Sequence, residues 1–240
     1  MSARTAPHPE ILRLALIGYG KMGKLVEELA PRHGCEVVAR VAGADGGAAA
    51  IDAGRLAGAE VAVDFSVAGA VAENAERLAA LGLHLVIGTT GWGEALPRVR
   101  AAVERHGVGL VHGANFSVGV QVFYGIVEAA ARLLADEEAY GAWAYEIHHA
   151  AKRDAPSGTL KELLRVLARA GYERPVDVAS NRAGAVPGTH LLGFDSAADT
   201  ITLQHTARSR AGFAHGALRA ARWVRGKRGV FEFRQIWRET

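Results

Sequence analysis

The sequence has a single cysteine, Cys35, in 240 residues. No disulfide can close within the chain, and a reducing cytoplasm is the expected compartment. No apolar run reaches the roughly 20 residues that a membrane-spanning helix needs, and Met1 to Glu10 lacks the apolar centre of a signal peptide. No membrane contact is expected. Charge of one sign is also scarce: 28 basic against 25 acidic side chains leave a net +3. That small sum hides a skew, because from Arg208 onward eight arginines and one lysine face only Glu232 and Glu239. The arginines fall at helical spacing opposite Ala217, Ala220, Ala221 and Val224, which reads as a solvated helix face. Nucleic acid is therefore not expected as a partner. There is no internal repeat and no low-complexity tract beyond an alanine bias. What is present is a globular composition, half of it hydrophobic, long enough to bury a sizeable core in one large domain or two modest ones.

Ile11 to Ile17 is an apolar run of the kind a buried parallel strand shows. It passes directly into Gly18-Tyr19-Gly20-Lys21-Met22-Gly23, after which Leu25, Val26 and Leu29 take helical spacing. Glycines at these positions permit a tight turn and let backbone approach a pyrophosphate at the helix start, so a dinucleotide is the expected ligand. The next strand, Glu36 to Val41, leads to the point where an acidic side chain favours NAD and a basic one NADP. No acidic residue stands at its tip; Arg40 is nearby and Asp45 lies in the loop, so the residues do not choose between the coenzymes. Ala42 to Ala59, rich in Ala and Gly, reads as a loosely specified connection.

Val61 to Ser66 is the third strand, with Ser66 expected to cap a helix reaching Leu81 and Val67, Val71, Ala75 and Leu78 on one face. Leu83 to Ile87 then ends in Gly88-Thr89-Thr90-Gly91, small residues that suit a cofactor lying across a sheet edge. A helix (Glu94 to Arg105), a strand (Val108 to Val111) and Gly113-Ala114-Asn115-Phe116-Ser117 follow. Such alternation indicates a doubly wound parallel sheet of Rossmann type.

After Ser117 the pattern changes. A long apolar helix, Val118 to Leu134, precedes strands at Ala142 to His149, Val176 to Ser180, Thr189 to Phe194 and Thr200 to Thr206, interrupted by one helix from Gly158 to Ala170. This is a C-terminal mixed-sheet α+β domain. A last helix, Gly212 to Val224, and a strand-like Val230 to Ile236 return to the first domain. The expected division is 1–117 for the dinucleotide, 118–213 for substrate and oligomerisation, and 214–240 completing the first domain.

The chemistry is concentrated in Glu146-Ile147-His148-His149-Ala150-Ala151-Lys152-Arg153-Asp154-Ala155-Pro156-Ser157-Gly158-Thr159. Two histidines and a lysine sit at the end of a strand. Ser157 is a good N-cap, so the first-turn amides at Gly158 and Thr159 point out of the helix. Helix starts attract anions, and a carboxylate is the expected one here. Imidazoles and an ammonium facing such amides make an acid/base and anion-binding site. No metal is expected: the histidine pair has no cysteine, and Glu146 stands only two residues away on the same strand, whereas zinc draws ligands at wider spacing.

Taken with Asp64-Phe65-Ser66, Gly188-Thr189-His190 and Phe213-Ala214-His215-Gly216-Ala217, these stretches resemble the 4-hydroxy-tetrahydrodipicolinate reductase (dihydrodipicolinate reductase) family of the diaminopimelate route to lysine. The resemblance spans essentially the whole chain and is most specific in the central block. It implies a reductase using NADH or NADPH on a cyclic dicarboxylate, and a homotetramer. It implies that His148 is the proton donor/acceptor and Lys152 the second essential donor, with His149, Gly158 and Thr159 holding the substrate's carboxylates. It also implies cofactor contacts at Gly18, Tyr19, Gly20, Lys21, Met22, Gly23, Gly88, Thr89, Thr90, Ala114, Asn115 and Phe116, beside Arg40 at the second strand. An imidazole of ordinary pKa, about 6.5, serves as a donor near neutral pH. Two other readings stay open: a Rossmann-type reductase of another imine or semialdehyde, and a dinucleotide-sensing protein without catalysis.

Overall fold

The computed structural model describes residues 11–56 and 58–240. Met1 to Glu10, expected to carry no signal-peptide core, lie outside the described residues, as does Ala57 within the expected loose connection. In chain order the elements are β1 (Leu12–Ile17), α1 (Lys21–Leu29), β2 (Cys35–Val41), β3 (Val61–Asp64), α2 (Val71–Ala80), β4 (His84–Ile87), α3 (Leu96–His106) and β5 (Gly109–His112). Then come α4 (Val118–Leu133), β6 (Gly141–His148), α5 (Gly158–Arg169), β7 (Val176–Arg182), β8 (Thr189–Asp195) and β9 (Thr200–Thr206). The chain closes with α6 (Ala211–Val224), β10 (Gly229–Glu232) and α7 (Phe233–Ile236). Residues up to Phe116 together with Ala214–Thr240 make one compact unit, and Ser117–Phe213 make a second.

The first unit holds a sheet ordered β10-β5-β4-β3-β1-β2, parallel throughout. Its central strand β3 is buried along its whole length, as a strand covered on both faces must be. Val71, Ala75 and Leu78 of α2 and Val99 and Val103 of α3 pack into the same core as Ala15, Ala62, Leu85 and Leu110. The strand order reverses between β1 and β3, and the carboxyl ends flanking such a reversal are where open α/β sheets take their ligands.

Ser66 does not cap α2. Its amide and hydroxyl both donate to Asp64, at 2.8 and 2.6 Å, and the helix begins only at Val71 after a short 3₁₀ turn, leaving Val67 exposed. A hydroxyl that finds a carboxylate two residues back is no longer available to a helix start. The strand-like Val230 to Ile236 is also corrected. Only Gly229–Glu232 pair with β5, after which Phe233 and Ile236 turn one above the other in a helical turn. The basic face of α6 is tied down in part: Arg222 donates to the carbonyl of His33 at 3.0 Å, Arg225 pairs with Glu60 at 2.8 Å, and Arg219 donates to the carbonyls of Trp237 and Thr240.

The second unit has a mixed sheet ordered β7-β6-β8-β9, with β6 parallel to β7 and antiparallel to β8. Along β6 the side chains alternate, with Ala142, Ala144, Glu146 and His148 buried and Trp143, Tyr145 and Ile147 half-buried. The alanines meet Val120, Phe123 and Val127 of α4 and Leu160, Leu163 and Leu167 of α5 in one core. Among the described residues no helix is long and apolar enough to cross a membrane.

Candidate active site

In the first unit, two glycines of the loop after β1 are fixed by sterics. Gly18 has φ +86° and lies where a Cβ would come within 2.5 Å of the Phe65 carbonyl, and a Cβ on Gly23 would meet the Gly18 carbonyl at 2.5 Å. Gly20, directly before α1, is different, since nothing lies within 4 Å of its Cβ position. That opening lets a pyrophosphate reach the first-turn amides, so the loop fits a dinucleotide. Lys21 beside it is exposed and Met22 half-buried. Tyr19 donates its hydroxyl to Glu27, and Arg40 pairs with the same carboxylate. Arg40 is thus drawn back toward α1, its guanidinium 5.9 Å over the Tyr19 ring.

Asp64, at the end of β3, organises the neighbouring loop. Its buried carboxylate accepts from Ser66, from Asn74 Nδ2 at 3.0 Å and from Thr89 Oγ1 at 2.9 Å. Gly88 packs beneath Phe65, where a Cβ would come within 2.1 Å of the ring. Thr90 and Ala114 are exposed, whereas Asn115 and Phe116 are buried, Phe116 against Phe233 at 4.7 Å between ring centroids. Of the expected cofactor contacts, Gly20, Lys21, Arg40, Thr90 and Ala114 present surface, while Gly88, Thr89, Asn115 and Phe116 hold the sheet edge in shape.

In the second unit, Glu146 is fully buried on β6. A carboxylate there is costly unless it is compensated. Its Oε1 accepts from the Ser157 amide at 2.9 Å, the Ser180 hydroxyl at 2.9 Å and Arg182 at 2.8 Å. Burial pushes its pKa up, but these bonds and the neighbouring His190 outweigh it and hold the group far below the usual carboxylate range. Oε2 lies 3.7 Å from His148 Nδ1 and 3.5 Å from His190 Nε2. The two imidazoles meet edge to face at 5.0 Å. Burial, with His190 beside it, lowers the His148 pKa to about 4 against the opposing pull of Glu146. The ordinary value expected from sequence is therefore corrected: burial keeps His148 a neutral imidazole at pH 7.

Ser157 caps α5 as expected, its Oγ accepting from the Leu160 amide at 3.2 Å, and the same oxygen sits 3.2 Å from His190 Nε2. Gly158 and Thr159 occupy the first turn, directly after Ser157. The histidines and lysine of the central block do not converge on one point. His149 lies past the end of β6 with its Nε2 3.2 Å from Arg210, and the Lys152 ammonium rests 2.6 Å from Asp154. His148 alone joins the buried cluster.

His190, Arg182 and Arg210 are site residues not expected from the sequence, where Glu146 figures only as a disfavoured metal ligand. Alternation along β6 places Glu146 on the His148 face, a signal that was available. His190 and Arg182 carry no spacing signal, because the sheet register alone pairs Glu146 with His190 and His148 with Arg182. Glu146, His148 and His190 offer donor atoms within 4.8 Å of one another. Arg182 already supplies the positive charge at this carboxylate, so a divalent cation would enter against like-charge repulsion. The arrangement is suited to holding and moving a proton beside an anion-binding helix start.

Two family models match the chain: dihydrodipicolinate reductase, N-terminus, over residues 12–116, and dihydrodipicolinate reductase, C-terminus, over residues 119–237. Curated 4-hydroxy-tetrahydrodipicolinate reductases are similar over nearly their whole length. That of Anaeromyxobacter sp. is 38% identical, with 95% of this chain and 92% of the relative covered. That of Thiobacillus denitrificans is 37% identical, with 94% and 98% covered. Among solved structures, dipicolinate-bound dihydrodipicolinate reductase from a Paenisporosarcina species superposes with a TM-score of 0.73 at 20% identity, covering 94% of this chain and 99% of that one, which shows a shared fold. The chain belongs to the dihydrodipicolinate reductase family.

Proposed function

We propose that the chain reduces 4-hydroxy-tetrahydrodipicolinate to tetrahydrodipicolinate with NADH or NADPH, a step of the diaminopimelate route to lysine. Full-length similarity to reductases of that name supports the reading. One observation in this chain carries it: the Glu146 carboxylate lies 3.7 Å from His148 Nδ1 through one oxygen and accepts from the Ser157 amide, at the start of α5, through the other. A proton-handling group and an anion-binding helix start are thereby fixed beside each other.

The reaction removes one oxygen, so a hydride and a proton are taken up and water leaves. When bound, the nicotinamide supplies the hydride. Gly18 to Gly23 would hold its pyrophosphate, with Arg40, Gly88 to Thr90 and Ala114 to Phe116 shaping the rest of the contact. In the second unit, Gly158, Thr159 and His149 hold the substrate's carboxylates. Lys152 exchanges Asp154 for a substrate carboxylate and acts as the second donor. His148 gives and takes the proton at the ring. A dianion beside the imidazole favours the imidazolium, opposing the burial that otherwise keeps it neutral. His148 therefore takes up its proton as substrate arrives.

We assign a homotetramer and a reducing cytoplasm. Val122, Ile126 and Leu133 of α4, Val178 of β7 and Ile201 of β9 are exposed apolar side chains that association would cover. Cys35, buried and free, suits a reducing compartment.

The test follows nicotinamide oxidation with freshly generated condensation product of pyruvate and aspartate semialdehyde, comparing NADH with NADPH. Consumption of either coenzyme supports the assignment, and a folded protein that consumes neither overturns it. Lys152→Ala is expected to abolish turnover while cofactor affinity stays within about twofold of wild type. A dinucleotide sensor without catalysis would tolerate that loss.

A further inference from the structure

The two oxygens of Glu146 are used unequally. Oε1 takes all three hydrogen bonds, from Ser157, Ser180 and Arg182. Oε2, equally buried, accepts none, and neither does His148 Nδ1 have a partner, although the two atoms face each other at 3.7 Å. Buried polar atoms left unsatisfied are rare and costly. Here two complementary ones stand less than 1 Å beyond hydrogen-bond length. Such bonds tighten when a reacting complex forms. The far side of the ring is also specified. Gly188 packs against it so closely that a Cβ there would come within 3.0 Å of His148 Nε2 and Cδ2.

We propose that Glu146 is the positioning residue for His148. Its Oε2 accepts the Nδ1–H of the imidazole in the substrate complex, fixing the tautomer in which Nε2 is the atom that gives and takes the proton. The inference rests on the reductase reading of the site. His190 completes the brace, lying between Glu146 Oε2 and Ser157 Oγ at 3.5 and 3.2 Å. One network then sets the imidazole of β6 and the helix start of α5 against each other. A shift at either is felt at the other. A carboxylate behind an imidazole acts in the same sense in hydrolase triads, where it holds the tautomer and stabilises the imidazolium without itself taking the proton.

The direct test reads the tautomer. Full-length enzyme with ¹⁵N-labelled histidine is saturated with pyridine-2,6-dicarboxylate, and long-range ¹H–¹⁵N correlations identify which His148 nitrogen carries the proton. Nδ1–H is expected in wild type, and a neutral Nε2–H imidazole in that complex would overturn the proposal without need of any variant. Kinetics supply the second arm. Glu146→Gln is expected to lower kcat by about 10²-fold, the scale of a general acid–base contribution, with KM changed less than about threefold. Its alkaline limb should move to lower pH, because the charges left facing His148 are Lys152, Arg182 and His190, all of which disfavour the imidazolium. Glu146→Asp, which keeps the charge, should recover part of both. Should Glu146→Gln match wild type in kcat, limb and tautomer, Glu146 is only structural. Absence of turnover in wild type would instead defeat the reductase reading, and the two failures are distinct.

Discussion

Arg182 lies 2.8 Å from Oε1 of Glu146, a guanidinium against a carboxylate with no solvent exposure. The pair joins β7 to β6 where His148 and Arg182 are in register. It also accounts for a charge that the core would otherwise exclude.

Removing one member of this largely buried pair should therefore be strongly destabilising. Arg182→Met leaves a buried carboxylate short of its cation, and a loss of about 3–5 kcal/mol is expected in reversible denaturation. The double variant Arg182→Met/Glu146→Gln should recover most of that loss, since the uncompensated charge is gone.

The glycine loop makes a paired prediction. Gly20→Ala adds a methyl where nothing lies within 4 Å, at a φ of −89° that alanine adopts readily, so the melting temperature should change little. Its coenzyme affinity should fall at least about tenfold, because the methyl occupies the space a pyrophosphate needs. Gly23→Ala forces a Cβ to 2.5 Å from the Gly18 carbonyl, and there stability itself should drop. Titration calorimetry with both coenzymes, beside thermal melts, separates the two effects.

His148 should leave a signature in the pH dependence of stability. Its folded pKa, lowered to about 4 by burial, lies below the unfolded value of 6.5. The unfolded chain then binds the proton first as pH falls, so stability is lost between about pH 6.5 and pH 4 and amounts to about 3 kcal/mol in all. His148→Gln should flatten that slope, which denaturant titrations across the window would show. In catalysis the alkaline limb of kcat should stand at higher pH than that of kcat/KM, since the first reports the complex with its dianion and the second the free enzyme.

The alternating strands and helices of the first unit were legible because parallel strands covered on both faces read as apolar runs, each punctuated by small residues. Reading failed where local hydrogen bonding competed with capping. Ser66 serves Asp64, and α2 starts four residues later than expected. It failed again at Phe233 and Ile236, whose three-residue spacing is helical although the composition resembles a strand. The site was legible where its parts are adjacent in sequence: Ser157 caps α5, and His148 lies at the end of β6. His190 stands 44 residues after Glu146 in the chain and reaches it only through the antiparallel register of β6 and β8, which no local pattern encodes. The expected grouping of His149 and Lys152 with His148 assumed that neighbours in sequence share a direction. A strand end sends them apart, toward Arg210 and Asp154.

Turnover requires that a doubly anionic ring be recognised by the second unit's cationic groups and helix start. Competition against substrate by pyridine-2,6-dicarboxylate and by pyridine-2-carboxylate tests this most directly. A second charge-assisted contact contributes about 1.5–3 kcal/mol, so the dicarboxylate should inhibit about 10- to 100-fold more tightly. Equal inhibition constants would show that only one carboxylate is held, and would contradict the central claim.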